Sequence, residues 1–342
     1  MPIPNKFPSE LRFDLASEDW VIIATGRGKR PEVFRREKRA SEEVSPKKCP
    51  FCQVELQAKP SLVFAGGKRI PLNGGTPDNW STVIVPNKYP ALIPSYEINT
   101  RIEGNLYQTM NAVGFHEVVV TREHDQSIAL LSPQRVKEIF DAYQERYKEL
   151  KKEHFVNYIS IFHNHGKEAG ASISHPHSQI ITIPLIDTDL KKSLSNSKKY
   201  FRANKKCIYC VMDQWEMKVR SRIVFENEEF LAVCPFASKT AFEVIISPKK
   251  HIARFEDIDE KGKLLLAEAF QDVMKKLYNG LNDPAYNFYL HTAPCDGKNY
   301  SFYHWHWTIL PKTSTWAGFE IGTQIEISTI EPEQAAEFLR KK

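Results

Sequence analysis

Two C-x-x-C pairs, each followed far downstream by two histidines, constrain this chain more than any other feature. The first set spells C-x2-C-x71-H-x50-H from Cys49 to His175, and the second C-x2-C-x40-H-x52-H from Cys207 to His304. The interval between the histidines is nearly the same in both. Phe242–His251 aligns without a gap on Phe115–His124, and His304-Trp-His306-Trp-Thr308 is the counterpart of His175-Pro-His177-Ser-Gln179. Self-similarity of this kind is a statement about architecture, because each copy repeats one supersecondary plan. The expected fold is α+β, with two repeated halves, each an antiparallel sheet with helices packed on one side. The boundary is expected near residue 190, giving halves 1–190 and 191–342.

The length of 342 residues accommodates two such halves. Hydrophobic residues at 42% and charged residues at 26% are ordinary for a soluble globular chain. The net charge of +5 is small over this length. It suits an anionic small molecule and does not argue for nucleic acid or a membrane surface. No apolar run approaches the roughly 18 residues that a spanning helix needs. Residues Met1 to Asp14 lack the apolar core of a secretory signal. A cytoplasmic location is therefore expected.

Strands are expected at Trp20–Ala24, Ser81–Val85, Phe115–Thr121, Tyr158–Phe162, Ile180–Ile183 and Tyr286–His291, from their β-branched and aromatic content. Ser132 and Pro133 open a helix whose stripe is Val136, Ile139, Phe140, Tyr143, Tyr147 and Leu150. A second helix carries Leu266, Phe270, Val273 and Leu277, and a third starts at Pro332. Residues 32–48 read as a loop. Residues 186–206 are rich in Lys, Ser and Asp without an apolar period and read as the connection between halves.

Paired C-x-x-C elements in a cytosolic chain favour metal over disulfide. Zinc takes thiolate and imidazole ligands in a tetrahedron. One expected set is Cys49, Cys52, His124 and His175, and the other is Cys207, Cys210, His251 and His304. Iron also fits a Cys/His set at the second. The two sets differ beyond their ligands. The first is followed by His177 and Gln179, with Gly166 and Gly170 in the loop before them. Along a strand His175, His177 and Gln179 would share a face. A neutral imidazole can attack phosphorus, and an amide can donate to a phosphoryl oxygen. The second set has Thr308 at the amide position, flanked by Trp305 and Trp307, whose indoles are expected to fill the space a phosphate needs. The second half thus reads as structural, with His306 packed or surface-facing.

The combination resembles the galactose-1-phosphate uridylyltransferase family of the histidine-triad superfamily, which has ADP-glucose phosphorylases as close relatives. The likeness runs from Arg27-Gly-Lys-Arg30-Pro to Ala317-Gly-Phe-Glu320, and H-P-H-x-Q is its specific part. The resemblance implies two histidine-triad-like halves and a homodimer. It implies His177 as the nucleophile that takes the nucleotidyl group and Gln179 as the donor to the phosphoryl oxygens. It implies Asn164, Gly170 and Ser172 as the phosphate loop, Arg27 and Arg30 near the substrate phosphates, and Asn87 at the nucleoside. Phe319 and Glu320 match a sugar-contacting pair. Phe319 stands where Tyr is common, Gly322-Thr323-Gln324 departs from a Gly-rich form, and Ala171 replaces a Cys of some members.

The implied function is UDP-glucose–hexose-1-phosphate uridylyl transfer in galactose metabolism, by double displacement through a uridylyl-histidine. Its partners are a nucleotide sugar and a sugar 1-phosphate. One alternative is adenylyl transfer with inorganic phosphate as acceptor, as in ADP-glucose phosphorylase. Dinucleotide hydrolysis is disfavoured, since Gln179 cannot protonate a leaving group as an imidazolium can. A non-catalytic zinc-stapled RNA binder would use Trp305, Trp307 and nearby lysines as a stacking platform, but their place in a packed sheet makes the core their expected environment.

Overall fold

The computed structural model describes residues 9–25, 31–35, 45–54, 57–72 and 76–342. After β1 (Glu10–Phe13) and β2 (Trp20–Ile23), the first part of the chain supplies β3 (Leu62–Ala65), β4 (Lys68–Arg69), β5 (Thr82–Pro86), the hairpin β6 (Thr100–Glu103) and β7 (Tyr107–Met110), β8 (His116–Thr121), α1 (Pro133–Leu150), β9 (Tyr158–His165) and β10 (His177–Ile183). Two helices follow, α2 (Thr188–Asn204) and α3 (Ile208–Val219). The second part supplies β11 (Ile223–Glu226), β12 (Phe230–Val233), β13 (Val244–Pro248), α4 (Glu260–Leu281), β14 (Tyr286–His291) and β15 (His306–Pro311). The chain then runs through α5 (Gly318–Thr323) and β16 (Ile327–Ser328) to α6 (Pro332–Arg340).

Eleven strands join edge to edge in the order β11-β12-β13-β15-β14-β9-β10-β8-β5-β3-β4. Every pairing in this sheet is antiparallel. Outward from the β9–β14 seam the two sides run alike, β9-β10-β8-β5-β3 and β14-β15-β13-β12-β11. At the seam Asn164 lies opposite Asn287, and Phe162 opposite Tyr289.

One face of the sheet is covered by α1 and α4. The Ser132 hydroxyl accepts from Arg135 N, and Pro133 occupies the first turn, where its missing N–H costs nothing. Asp259 caps α4 in the same way, and Asn282, at φ 63°, ends it. The expected stripes of both helices are buried in one core with Ile84, Val119, Ile159, Ile161, Ile180 and Phe288.

The two expected sheets are one continuous sheet, joined where β14 pairs with β9. Three other expectations need correction. Residues 188–204 are helix α2, not a plain connection. Asp187 caps Leu190 N at 2.9 Å. Leu190 and Leu194 are buried against Tyr158, Ala293, Tyr300 and Tyr303, with Phe201 partly buried beside them. Three apolar side chains at four- and seven-residue steps suffice for a helix lying on a protein surface, and the lysines between them hid the period. Helices also cover both faces of the sheet rather than one. Tyr158 is adjacent to core-facing Ile159 and so points to the opposite face, where α2 packs. Finally, Trp305 and Trp307 do not crowd His306. Both are fully buried, and Trp307 packs on Phe140, Tyr143, Phe270 and Phe288 under the α1–α4 layer. His306, one residue away, points to the other face. A stacking platform for RNA needs exposed rings, so buried indoles remove the basis of the RNA-binding reading.

Among the described residues no helix is long and apolar enough to cross a membrane.

Candidate active site and metal centres

β10 begins at His177, so His175 lies in the bend before it rather than in a strand row of three. Pro176 between them has no N–H to give a ladder. The bend turns the His175 ring toward Cys49 and Cys52, with Nδ1 3.5 Å from each sulfur. Its backbone carbonyl faces the other way, 2.9 Å from His177 Nδ1. A carbonyl only accepts, so Nδ1 of His177 carries the proton and Nε2 keeps its lone pair. Nε2 has no hydrogen-bond partner among the described residues. Burial holds the His177 imidazole below its usual titration range, which favours the neutral form. The Phe51 ring, from between the two cysteines, packs on His177 at 4.8 Å.

The four first-set residues Cys49, Cys52, His124 and His175 bring their donor atoms within 4.8 Å of one another. Cys52 Sγ lies 3.1 Å from His124 Nδ1. Zinc–ligand bonds of about 2.3 Å to sulfur and 2.0–2.1 Å to nitrogen give a tetrahedron with S···N edges of roughly 3.5 Å. The observed edges fit. His175 Nε2 donates to Thr121 O at 2.7 Å, which leaves Nδ1 free to bind an ion. Burial and the neighbouring Cys49 thiol push Cys52 up to about 11, a crowding that a divalent cation relieves.

Cys207, Cys210, His251 and His304 form a second group of the same kind. Cys210 Sγ is 3.3 Å from His251 Nδ1 and 3.4 Å from His304 Nδ1. The two outer nitrogens again donate to carbonyls, of Ser301 and Pro248, each at 2.8 Å. Both groups can therefore hold a metal ion. They differ at the next histidine. His306 Nδ1 is 3.3 Å from His304 O, but its ring is stacked on His291 at 4.7 Å and lies 5.1 Å from Tyr209. Two rings thus flank His306, where Phe51 alone packs on His177.

Gln179 shares the face of His177, two residues along β10. Its Oε1 is 2.8 Å from Nε2 of His116, a residue of β8. Asn87, in the turn after β5, accepts from Tyr89 N at 2.9 Å, with its Nδ2 3.0 Å from the same His116 nitrogen. Asn164, near the end of β9, accepts from Asn287 Nδ2 at 2.8 Å. Asn287 Nδ2 also donates to Ala169 O at 2.9 Å, so a residue of the second part holds the loop of the first. Gly170 follows, at φ +87°, a backbone conformation that a side chain would strain. Asn164 Nδ2 lies 3.8 Å from where a Gly170 Cβ would be. Ser172 is exposed two residues on.

His177, Gln179, Asn87, Asn164 and Gly170 thus come from β10, β9, the loop after β9 and the turn after β5. Phe319 and Glu320 are not joined to this group within the chain. They sit on α5, where Phe319 is exposed and Glu320 accepts from Ala317 N at its own helix start. Arg27 and Arg30 fall outside the described residues. Three contributors went unnoticed in the sequence: Phe51, His116 and Asn287. Phe51 had a local signal, an aromatic inside C-P-F-C. Asn287 had none, since its role depends on which strands meet at the seam.

Comparison with known proteins follows the same outline. The N-terminal domain model of galactose-1-phosphate uridyl transferase matches residues 4–186, and its C-terminal domain model matches residues 193–341. The chain belongs to the galactose-1-phosphate uridylyltransferase family. Membership makes it an enzyme, a nucleotidyltransferase. Among its relatives is the ADP-glucose phosphorylase of Arabidopsis thaliana, 33% identical over 99% of this chain and 94% of that protein. The galactose-1-phosphate uridylyltransferase of Thermotoga maritima is 28% identical over 97% of this chain and 98% of that one. A crystal structure of the Arabidopsis phosphorylase with bound ADP-glucose superposes with a TM-score of 0.80 at 30% identity, covering 98% of this chain and 99% of that chain.

Proposed function

We propose that the enzyme transfers a nucleotidyl group from a nucleoside diphosphate hexose to a phosphate acceptor through His177. The main reading is UDP-glucose–hexose-1-phosphate uridylyl transfer, in galactose metabolism. The observation that carries nucleotidyl transfer is the His177 Nδ1–His175 carbonyl bond of 2.9 Å, which aims an unprotonated Nε2 away from the metal group. Nε2 attacks the α-phosphorus, and the bond from that phosphorus to the bridging oxygen breaks. Hexose 1-phosphate leaves with the bonding electrons, and a nucleotidyl-imidazole remains. A phosphate oxygen of the acceptor then attacks the same phosphorus, and the N–P bond returns its pair to Nε2. Little charge is created overall, so positioning and donors to the phosphoryl oxygens dominate. Gln179, Ser172 and backbone amides of the Gly170 loop are the proposed donors. Asn87 is placed for the nucleoside, and Arg27 and Arg30 for the phosphates. Phe319 and Glu320 are proposed to reach the hexose of a partner copy in a homodimer.

Zinc is the proposed ion in both groups; Cys49, Cys52, His124 and His175 would hold it in the first, where it would anchor the residue whose carbonyl orients His177. The chain is read as two histidine-triad-like halves, 1–190 and 191–342, of a cytoplasmic protein. One observation favours a second reading, ADP-glucose phosphorolysis: the Arabidopsis phosphorylase is 33% identical, against 28% for the Thermotoga uridylyltransferase. A screen of UDP- and ADP-hexoses for exchange with labelled hexose 1-phosphate and with labelled phosphate separates the two. Exchange with hexose 1-phosphate alone supports the uridylyltransferase, and exchange with phosphate the phosphorylase. No exchange with any nucleotide sugar overturns both.

Asn287→Ala tests the loop. Loss of both of its hydrogen bonds is expected to cost about 1–2 kcal/mol of stability in urea unfolding. The KM for nucleotide sugar is expected to rise roughly tenfold, with kcat changed much less.

A further inference from the structure

His116 sits at the start of β8 and is a diagonal neighbour of Gln179, because Val118 pairs with Gln179 and His116 with Ile181. Its two ring nitrogens face different partners. Ala91 N donates to Nδ1 at 3.1 Å, and a backbone N–H can only donate. Nδ1 is therefore the acceptor, and the ring proton sits on Nε2. The acceptor within reach of that proton is Gln179 Oε1, at 2.8 Å. Asn87 Nδ2, 3.0 Å from the same nitrogen, is itself a donor because Asn87 Oδ1 accepts from Tyr89 N, so that contact sets donor against donor and leaves the proton to Gln179. An amide has one oxygen and one NH2 group, and fixing the oxygen fixes where the NH2 points. Gln179 Nε2 has no partner among the described residues.

The second part of the chain supplies a contrast. The alignment of Phe242–His251 on Phe115–His124 puts Glu243 at the position of His116 and Thr308 at that of Gln179. Glu243 is engaged by Lys239 N instead, at 2.5 Å. Among the described residues the His–Gln pair occurs only beside His177.

We propose that His116 is a positioning residue: its Nε2–H holds Gln179 Oε1, so that Gln179 presents its NH2 group to the phosphoryl oxygens of the nucleotidyl group in transfer. This rests on the reading of His177 and Gln179 given above. Without the ring, the Gln179 amide turns freely and offers its oxygen to an anion as often as its nitrogen.

The test is a double-mutant cycle on nucleotide-sugar exchange. His116→Ala is expected to lower kcat about 10- to 100-fold with KM changed less than about threefold. His116→Phe keeps a ring of similar size without a donor and gives the same loss, which guards against a variant that fails to fold. In a Gln179→Ala background, either His116 change alters the rate by less than about twofold, because the group it orients is already gone. Metal content and unfolding midpoint serve as controls. Additive losses in the double variant, or wild-type kcat in both His116 variants, overturn the inference while the wild type still exchanges. A wild type without exchange overturns the nucleotidyl-transfer reading and this inference with it.

Discussion

His177→Gln is expected to lower nucleotidyl exchange at least about 10⁴-fold, with metal content and unfolding midpoint as in the wild type. The residue is 8% exposed at the first position of β10, and glutamine is close to histidine in size. Its amide can still donate to the His175 carbonyl. What it lacks is a nitrogen lone pair able to bond phosphorus, so the backbone survives while the covalent step is lost. Gln179→Ala is a useful comparison, because it removes a donor and leaves the nucleophile. Its loss belongs to the 10²–10³-fold range of a single oxyanion donor. Equal losses in the two variants would mean that His177 is not the attacking group.

The second large effect concerns the metal groups, and it separates them. Cys49→Ser and Cys207→Ser are each expected to remove one metal ion per chain, counted by elemental analysis. Binding free energies for structural zinc reach about 10–16 kcal/mol in small domains. Each loss is therefore expected to lower the melting temperature by on the order of 10 °C. Activity at a temperature where both variants stay folded is where they diverge. His175 gives Nδ1 to the first group and its carbonyl to His177, 2.9 Å away. Cys49→Ser frees that residue, so exchange falls by about 10- to 100-fold, as for loss of an outer-shell support. Beside the second group, His306 is packed between the Tyr209 and His291 rings. Cys207→Ser is expected to keep kcat within about threefold once stability is allowed for. Equal activity loss in both would place a catalytic duty on the second group as well.

Much of this was legible in the sequence because the repeat is written in residues with few alternative uses. C-x-x-C with two distant histidines, twice, names the eight residues that the fold gathers into two groups able to hold a metal ion. The helix stripes of α1 and α4 were equally plain, since each runs for several turns on one side. What escaped was set by tertiary context. α2 buries Leu190 and Leu194 and exposes a lysine-rich remainder, so its period is faint. His175 lies just before its strand, as His304 does before β15 where Trp305 replaces Pro176, and an alternating pattern carries no sign of where a strand begins. Trp305 and Trp307 lie in the core, as their place in a packed sheet suggests, and not around His306, as alternation from His306 implies. His116 and Asn287 act on residues 63 and 123 positions away, at distances set only once the strands are ordered.

The central claim is that His177 Nε2 forms a bond to a nucleotide's phosphorus. The measurement closest to it is the intact mass of the protein after brief incubation with UDP-glucose and, separately, ADP-glucose, followed by peptide mapping under conditions that preserve N–P bonds. The account predicts a mass gain of one nucleotidyl group, located on His177, absent in His177→Gln and removed by hexose 1-phosphate or phosphate. Turnover of the nucleotide sugar without such a gain, or a nucleotidyl group carried on any other residue, would contradict it.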